Sequence, residues 1–294
     1  MAVVLPEIPL AIGIPRVIFQ TYKSRDLPSE LAENVERIRA LNPEWDYRFF
    51  DDEQARQFIL DEYGEAVVRQ FDRINPLYGA SRADLFRYLL IYRFGGVYLD
   101  IKSGVTHTLD DMILDGDRFI LSHWRNGPES PRAGWGLHAE LSHVRFGEYQ
   151  QWHVIAAAGH PFLRAVILET LAAIRDYRPW VQGIRQAAVI TTTGPIVYTR
   201  AIHPLLARHP HREVRSEEEI GLQYSFTPDY LHKRFFGSHY TQLWAPLIVR
   251  PGWRGMLDRG YARLVKARNT IAVKSFPFRQ GLRSMARHRW KRAA

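Results

Sequence analysis

Residues 78–104, YGASRADLFRYLLIYRFGGVYLDIKSG, constrain the fold more than any other stretch of the chain. Leu85, Leu89 and Tyr92 repeat at helical spacing within Ser81 to Phe94, and Gly95-Gly96 stop that helix. Val97 to Ile101 then forms a short apolar run of strand type that carries Asp100 near its end. A helix feeding straight into a buried strand is the unit of an α/β protein with a mostly parallel sheet. The same alternation recurs. IPRVIFQTY (14–22) predicts an opening strand, and Ser29 to Leu41 a helix with Leu31, Val35, Ile38 and Leu41 on one face. Tyr47 to Asp51 predicts a strand, and Asp52 the cap of a helix running to about Tyr63. Arg118 to His123 predicts another strand, and His160-Pro161 opens a helix over Phe162 to Asp176. Thr191 to Pro195 is a polar turn, and Tyr240 to Ile248 closes the body.

The 294 residues suffice for a sizeable core and include no cysteine. A disulfide scaffold, a thiolate zinc site and a cysteine nucleophile are therefore excluded. The most apolar stretch, Leu89 to Leu99, is broken by Arg93 and Gly95-Gly96, too early for a span of about 20 apolar residues. Pro6 and Pro9 interrupt the early apolar run, so no signal peptide is expected and the cytoplasm is the default. Residues 122–153 are rich in Gly, Pro, His and Trp and predict a long loop; their three Trp and four His argue for order.

Charge divides the chain in two. Of 40 Lys/Arg and 31 Asp/Glu, thirteen bases and one acid (Asp258) lie from Arg250 onwards, so residues 250–294 carry +12 and residues 1–249 carry −3. Large apolar residues, among them Trp253, Met256, Leu257 and Leu264, stand between those bases. The pattern suits an anionic membrane surface. A nucleic acid is the less favoured rival partner, and a solvated terminal helix is the plain structural alternative.

In open α/β sheets ligands bind beyond the carboxyl ends of strands, which is where Asp100 falls. Asp84 is expected to complete a capping box with Ser81, and Arg87 to be its neighbour one turn on. Read together, Asp84, Arg87, Gly95, Gly96 and Asp100 form D-x-x-R on a helix, Gly-Gly, and a strand ending at D-x-K. This pattern resembles glycosyltransferase family 32, which includes capsular-polysaccharide transferases and yeast mannosyltransferases. IPRVIFQTY, NPEWDYRFFDD, GHPFL, TTTGP and the His239…Trp244 segment extend the resemblance over roughly residues 14–248.

The resemblance implies a GT-A type, Rossmann-like sheet flanked by helices, with residues 1–249 as the transferase domain and 250–294 as a basic amphipathic tail. It implies a nucleotide-sugar donor, UDP- or GDP-hexose, and retention at the anomeric carbon. Asp100, Asp84 and Arg87 match the catalytic and sugar-gripping positions. Gln20 and Thr21 lie where the base would bind, and Trp244 either contacts the phosphates or packs in the core. A divalent cation, Mn²⁺ or Mg²⁺, would sit on Asp100 and His239. Trp124, Trp135 and Trp152 either wall an acceptor sugar or pack the long loop.

One position departs: Lys102 stands where the family's second Asp would be, and a protonated amine has no lone pair for a metal. Three readings follow. In the first, a cation is held by Asp100, His239 and the diphosphate; in the second, Lys102 itself supplies the charge; in the third, the protein is a catalytically impaired glycan- or lipid-binding relative. The leading expectation is a transferase moving a hexose onto a cell-surface glycan or lipid-linked acceptor, peripheral on the inner face of the cytoplasmic membrane.

Overall fold

The computed structural model describes residues 4–228, 231–236 and 240–270. In chain order the elements are β1 (Val17–Thr21), α1 (Ser29–Leu41), β2 (Asp46–Phe50), α2 (Asp52–Asp72), α3 (Gly79–Phe94), β3 (Gly96–Leu99), β4 (Gly104–Val105), α4 (Leu109–Met112) and β5 (Phe119–Ser122). They continue with β6 (His153–Ala156), α5 (Pro161–Asp176), α6 (Pro179–Gln182), α7 (Arg185–Thr192), α8 (Pro195–Ile202), β7 (Arg212–Val214) and β8 (Leu222–Gln223). Residues 252–270 are helical. Six strands form one sheet in the order β2-β1-β3-β6-β5-β7, and β4 pairs with β8 as a separate ribbon. The large sheet is parallel except for β6, which runs antiparallel to β3 and β5. The α/β expectation holds, with β6 as the one reversed strand.

Successive strand residues point to opposite faces, and both faces are covered. Phe19, Tyr98, Leu121 and Val154 pack with α2, α3, α5 and α8 on one side. Ile18, Val97, Leu99, Ile120 and Ile155 pack with Ile38, Trp45, Met112 and Trp152 on the other. Nearly the whole of α3 is buried, from Ser81 to Tyr92, so two charged residues in it must find partners inside the protein.

The glycine pair after α3 is required by geometry. Gly95 and Gly96 have φ of 68° and 99°, where side-chain-bearing residues are strained. A Cβ on Gly96 would stand 2.5 Å from Val17 Cγ1. The pair lets β3 start at once beside β1, which fixes where Asp100 emerges.

Three boundaries differ from the sequence expectation. Asp51, not Asp52, caps α2: its carboxylate accepts from the Gln54 backbone N–H while the Gln54 side chain accepts from the Asp51 N–H. That helix passes a kink at Gly64 (φ 74°) and continues to Asp72 instead of ending near Tyr63. α3 begins at Gly79, two residues early, because Tyr78 is anchored by its hydroxyl to the Ala245 carbonyl at 2.6 Å. Ser81 and Asp84 are thus interior positions and form no capping box. The Ser81 hydroxyl is buried and makes no hydrogen bond among the described residues.

The chain after the sheet is tied back to the α2–α3 junction. Asn75 N–H donates to the Leu247 carbonyl, Val249 N–H donates to the Arg73 carbonyl, each at 2.8 Å, and Ile74 bridges Ile248. Helix 252–270 then packs on the body through Gly255, Asp258 and Ala262. Arg250 donates to Asp258 at 2.6 and 2.5 Å, a buried pair that joins the two sides of residue 250. Among the described residues no helix is long and apolar enough to cross a membrane.

Candidate active site

Asp100 follows β3 directly, and its backbone is held on three sides. Its N–H donates to the Trp152 carbonyl (2.9 Å), and its carbonyl accepts from Ser103 N–H (2.8 Å) and from Gln20 Nε2 (3.3 Å). Arg87 rises from α3 beneath it. One guanidinium nitrogen, Nη2, stands 3.1 Å from Asp84 Oδ1 and 3.1 Å from Asp100 Oδ1. Lys102 Nζ meets the other oxygen, Asp100 Oδ2, at 3.0 Å. Two carboxylates and two cations therefore form one chain: Asp84, Arg87, Asp100, Lys102. The side chains of Asp84 and Arg87 are 3% exposed and Lys102 8%, against 24% for Asp100, so the cluster meets solvent chiefly at Asp100.

Burial acts on each member differently. It pushes the Asp84 carboxyl up to about 6, against the opposing pull of Arg87 and of the Thr193 hydroxyl. Burial works in the same sense on Asp100, but Arg87 and Lys102 overcome it and hold that carboxyl below its usual range. Burial draws the Lys102 ammonium down, with Asp100 opposing. Asp100 is thus the fixed charge at the opening, and Asp84 is the group poised to titrate.

Several supports of the cluster had no sequence signal. Thr193 Oγ1 donates to Asp84 Oδ2 at 2.8 Å across 109 positions. Arg87 Nη1 donates to the Gln151 backbone carbonyl (2.5 Å) and to its Oε1 (3.0 Å). The guanidinium lies over the Tyr98 ring at 4.8 Å. Lys102 Nζ lies 4.0 Å from the centre of the Tyr224 ring. Thr193 belongs to the TTTGP turn, so the turn was visible in the sequence but its contact was not.

The other expected residues fall in distinct places. Gln20 is fully buried, accepts from the Tyr47 hydroxyl at 2.9 Å and supports Asp100 through its carbonyl. The Thr21 hydroxyl donates to the Phe50 carbonyl at 2.8 Å. Trp124, Trp135 and Trp152 all abut Tyr224, with ring centres at 5.0, 6.2 and 5.7 Å. The three tryptophans thus come together beside Lys102. Trp124 and Trp152 are buried there at 7% and 4%, so packing accounts for them, while Trp135 keeps a half-open face. Trp244 sits apart, under the Arg185 guanidinium at 4.3 Å, on the wall of a cavity beside helix 252–270. His239 lies outside the described residues.

The described residues do not fit a divalent cation at Asp100. Both its oxygens are already engaged by cationic side chains. Among the described residues no group of three His, Asp or Glu side chains is placed to hold a metal.

Against known proteins, residues 28–120 match the family described as a glycosyltransferase sugar-binding region containing a DXD motif. The match spans about a third of the chain and marks that segment as similar to the DXD glycosyltransferases. It contains Asp84, Arg87, Asp100 and Lys102. Transferases of this kind generally use a divalent cation.

The chain is 34% identical over 101 residues to inositol phosphoceramide mannosyltransferase 3 of Schizosaccharomyces pombe, covering 34% of this chain and 28% of that protein. It is 36% identical over 100 residues to mannosyl phosphorylinositol ceramide synthase SUR1 of Saccharomyces cerevisiae, covering 34% and 25%. A longer match, 27% over 205 residues, joins it to the initiation-specific alpha-1,6-mannosyltransferase of S. pombe, covering 67% and 50%. The chain therefore spans between a quarter and half of the length of these relatives. Among solved structures it resembles the PaToxG glycosyltransferase (TM-score 0.43, 13% identity, 66% of this chain and 71% of that one). It also resembles the UDP-bound glycosyltransferase domain of the YGT toxin (TM-score 0.39, 9% identity, 73% and 84%).

Proposed function

We propose that the protein is a retaining hexosyltransferase, taking a hexose from UDP- or GDP-sugar to a hydroxyl of a glycan or lipid-linked acceptor. The observation that carries this is the Asp84–Arg87–Asp100–Lys102 chain at the carboxyl end of β3, opening at Asp100. It lies within the segment that matches the sugar-binding region. Relatives named as mannosyltransferases of inositol phosphoceramide support a lipid acceptor. A site on the inner face of the cytoplasmic membrane accords with that acceptor and with the basic segment after residue 250.

In this reading the Asp100 carboxylate accepts hydroxyl hydrogen bonds from the donor, and Arg87 keeps it ionised and oriented. Asp84, buried beneath, holds Arg87 in place. Lys102 supplies fixed positive charge beside the leaving diphosphate, where developing charge is best stabilised by groups already in position. No side chain of the cluster is free to act as a nucleophile, because each carboxylate is held by a cation. The bond from the anomeric carbon to the diphosphate oxygen breaks as the bond to the acceptor oxygen forms on the same face. The acceptor's proton passes to the departing phosphate oxygen, giving a nucleoside diphosphate. Ser122 and His153 are hydrogen-bonded at 2.8 Å, but both are buried at 0% and 1%, out of reach of a substrate.

The test is nucleoside diphosphate release from a panel of UDP- and GDP-hexoses. The wild type should release it from one donor, and Asp100→Asn should lose that release per folded molecule, with a lowered melting temperature because Arg87 and Lys102 lose their shared partner. Release should survive EDTA and be lost in Lys102→Met. A wild type that turns over no donor, or an Asp100→Asn variant as active as wild type, would overturn the assignment. Strict dependence on Mn²⁺ or Mg²⁺ would return the charge-supplying role to a metal.

A further inference from the structure

Helix 252–270 presents an arrangement that the body does not use. Its inward side is Gly255, Asp258 and Ala262, fixed by the Arg250–Asp258 pair. Its outward side carries Trp253, Met256, Leu257 and Leu264, which are 66%, 65%, 53% and 70% exposed. At 100° per residue these four fall within about a third of a turn of one another. Exposed Arg254 and Arg268 lie on one flank of that stripe, and Arg259, Arg263 and Lys266 on the other. The apolar surface continues onto α6, where Trp180 and Val181 are 49% and 71% exposed. The Trp180 ring lies 6.3 Å from that of Tyr261 on the helix.

Contiguous apolar surface of this kind marks an interaction site. Its occupant must accept an apolar ridge and two rows of bases together. A second copy of this chain would bring a +12 segment against another +12 segment, which repulsion opposes. A phosphate backbone would engage the bases and leave the ridge in water. A bilayer rich in anionic lipid satisfies both, with the ridge among the acyl chains and the flanks at the headgroups. The seven Lys/Arg after residue 270, with no acid among them, add to that attraction. A cavity of about 340 Å³ at the root of the helix, lined by Arg259, Arg263, Asn75 and Trp244, offers room beside the basic flank for a headgroup.

We propose that the outward face of helix 252–270 lies in the plane of an anionic phospholipid bilayer and seats the protein on it. The assignment does not depend on the transferase reading, because none of these residues belongs to the Asp100 cluster.

Co-sedimentation of the full-length chain with vesicles tests it. Vesicles of phosphatidylcholine alone are compared with vesicles that also contain phosphatidylserine. The wild type should bind the anionic vesicles, leave them in high salt and ignore the neutral ones. Trp253→Ser/Leu257→Ser/Leu264→Ser keeps every base and the inward contacts. It should bind the anionic vesicles at least ~10-fold more weakly, since burying each such side chain is worth a factor of about ten or more. Its thermal melt should match the wild type. Arg254→Glu/Arg268→Glu should show the same loss and a weaker salt dependence. Wild-type affinity in the triple variant would overturn the proposal, as would equal binding to neutral vesicles. So would RNA binding without vesicle binding, or a wild-type dimer that the triple variant dissolves.

Discussion

Asp84 gives the sharpest physical test of the site. Its carboxyl is pushed up to about 6, against an ordinary value near 3.9 in an unfolded chain. A shift of about two units at 1.36 kcal/mol per unit is worth about 3 kcal/mol. The sign follows from proton binding: the folded protein holds this proton more tightly than the unfolded chain does. The contribution is therefore fully present below about pH 4 and is lost as pH rises through 6. Asp84→Asn cannot titrate and lacks this slope.

Urea unfolding of wild type and Asp84→Asn at steps from pH 4 to pH 8 isolates the effect. The variant should gain about 3 kcal/mol on the wild type across that range, whatever fixed offset the lost Arg87 contact adds. Other titrations, such as His160 and His153, which burial lowers to about 4 and 3, occur in both proteins and cancel. Nucleoside diphosphate release should move the other way. An ionised Asp84 is what holds Arg87 under Asp100, so release should fall as pH drops below about 6. A stability difference that stays flat, or that favours the wild type as pH rises, would refute the reasoning. It would mean that Arg87 outweighs burial and that Asp84 is ionised throughout.

Thr193→Val removes the hydroxyl donor to Asp84 and should move the acid limb of the pH–rate profile upward, with a stability loss of about 1–2 kcal/mol by chemical denaturation. Asp51→Ala should cost about 1 kcal/mol by breaking the α2 capping box, and Asp52→Ala clearly less, both without loss of donor turnover. Gly96→Ala should prevent folding, seen as loss of soluble protein, because its Cβ would meet Val17 at 2.5 Å. Gly116→Ala, at a similar φ of 93° with nothing within 4 Å, should cost only about 1 kcal/mol in a thermal melt.

What the sequence disclosed depended on distance along the chain. α1 runs over Ser29–Leu41 as expected, because Leu31, Val35 and Ile38 repeat at helical spacing and are the residues that the fold buries. Arg87 beside Asp84 was visible one turn away on a helix. That Asp100 joins them required only the Gly-Gly break and a four-residue strand. Thr193 and Gln151 were out of reach, since their contacts cross 109 and 64 positions and depend on how α8 and the long loop pack. The start of α3 is hidden in the sequence because a helix buried all round loses the polar-to-apolar contrast that marks a boundary. Tyr78 sets that start through a bond to Ala245, 167 positions on. Residue type alone could not show that Asp51 and not Asp52 caps α2, since both residues suit the position.

Lys102 shows how one substitution can alter the electrostatics of an unchanged frame. With an acid at 102, the cluster would hold three carboxylates and one guanidinium, a net −2, in a pocket that is buried except at Asp100. Unbalanced buried charge of that size is costly, and a divalent cation is the species that cancels it. With Lys102, the same frame holds two carboxylates and two cations, and the sum is zero. Changing Asp to Lys moves the local charge by two units, as much as the ion itself would. The Tyr224 face beneath the ammonium adds cation–π attraction, and the Asp100 carboxylate fixes its direction. In the proposed reading, a donor diphosphate at this site would meet the Lys102 ammonium as positive charge already in position, without the reorganisation that binding an ion requires.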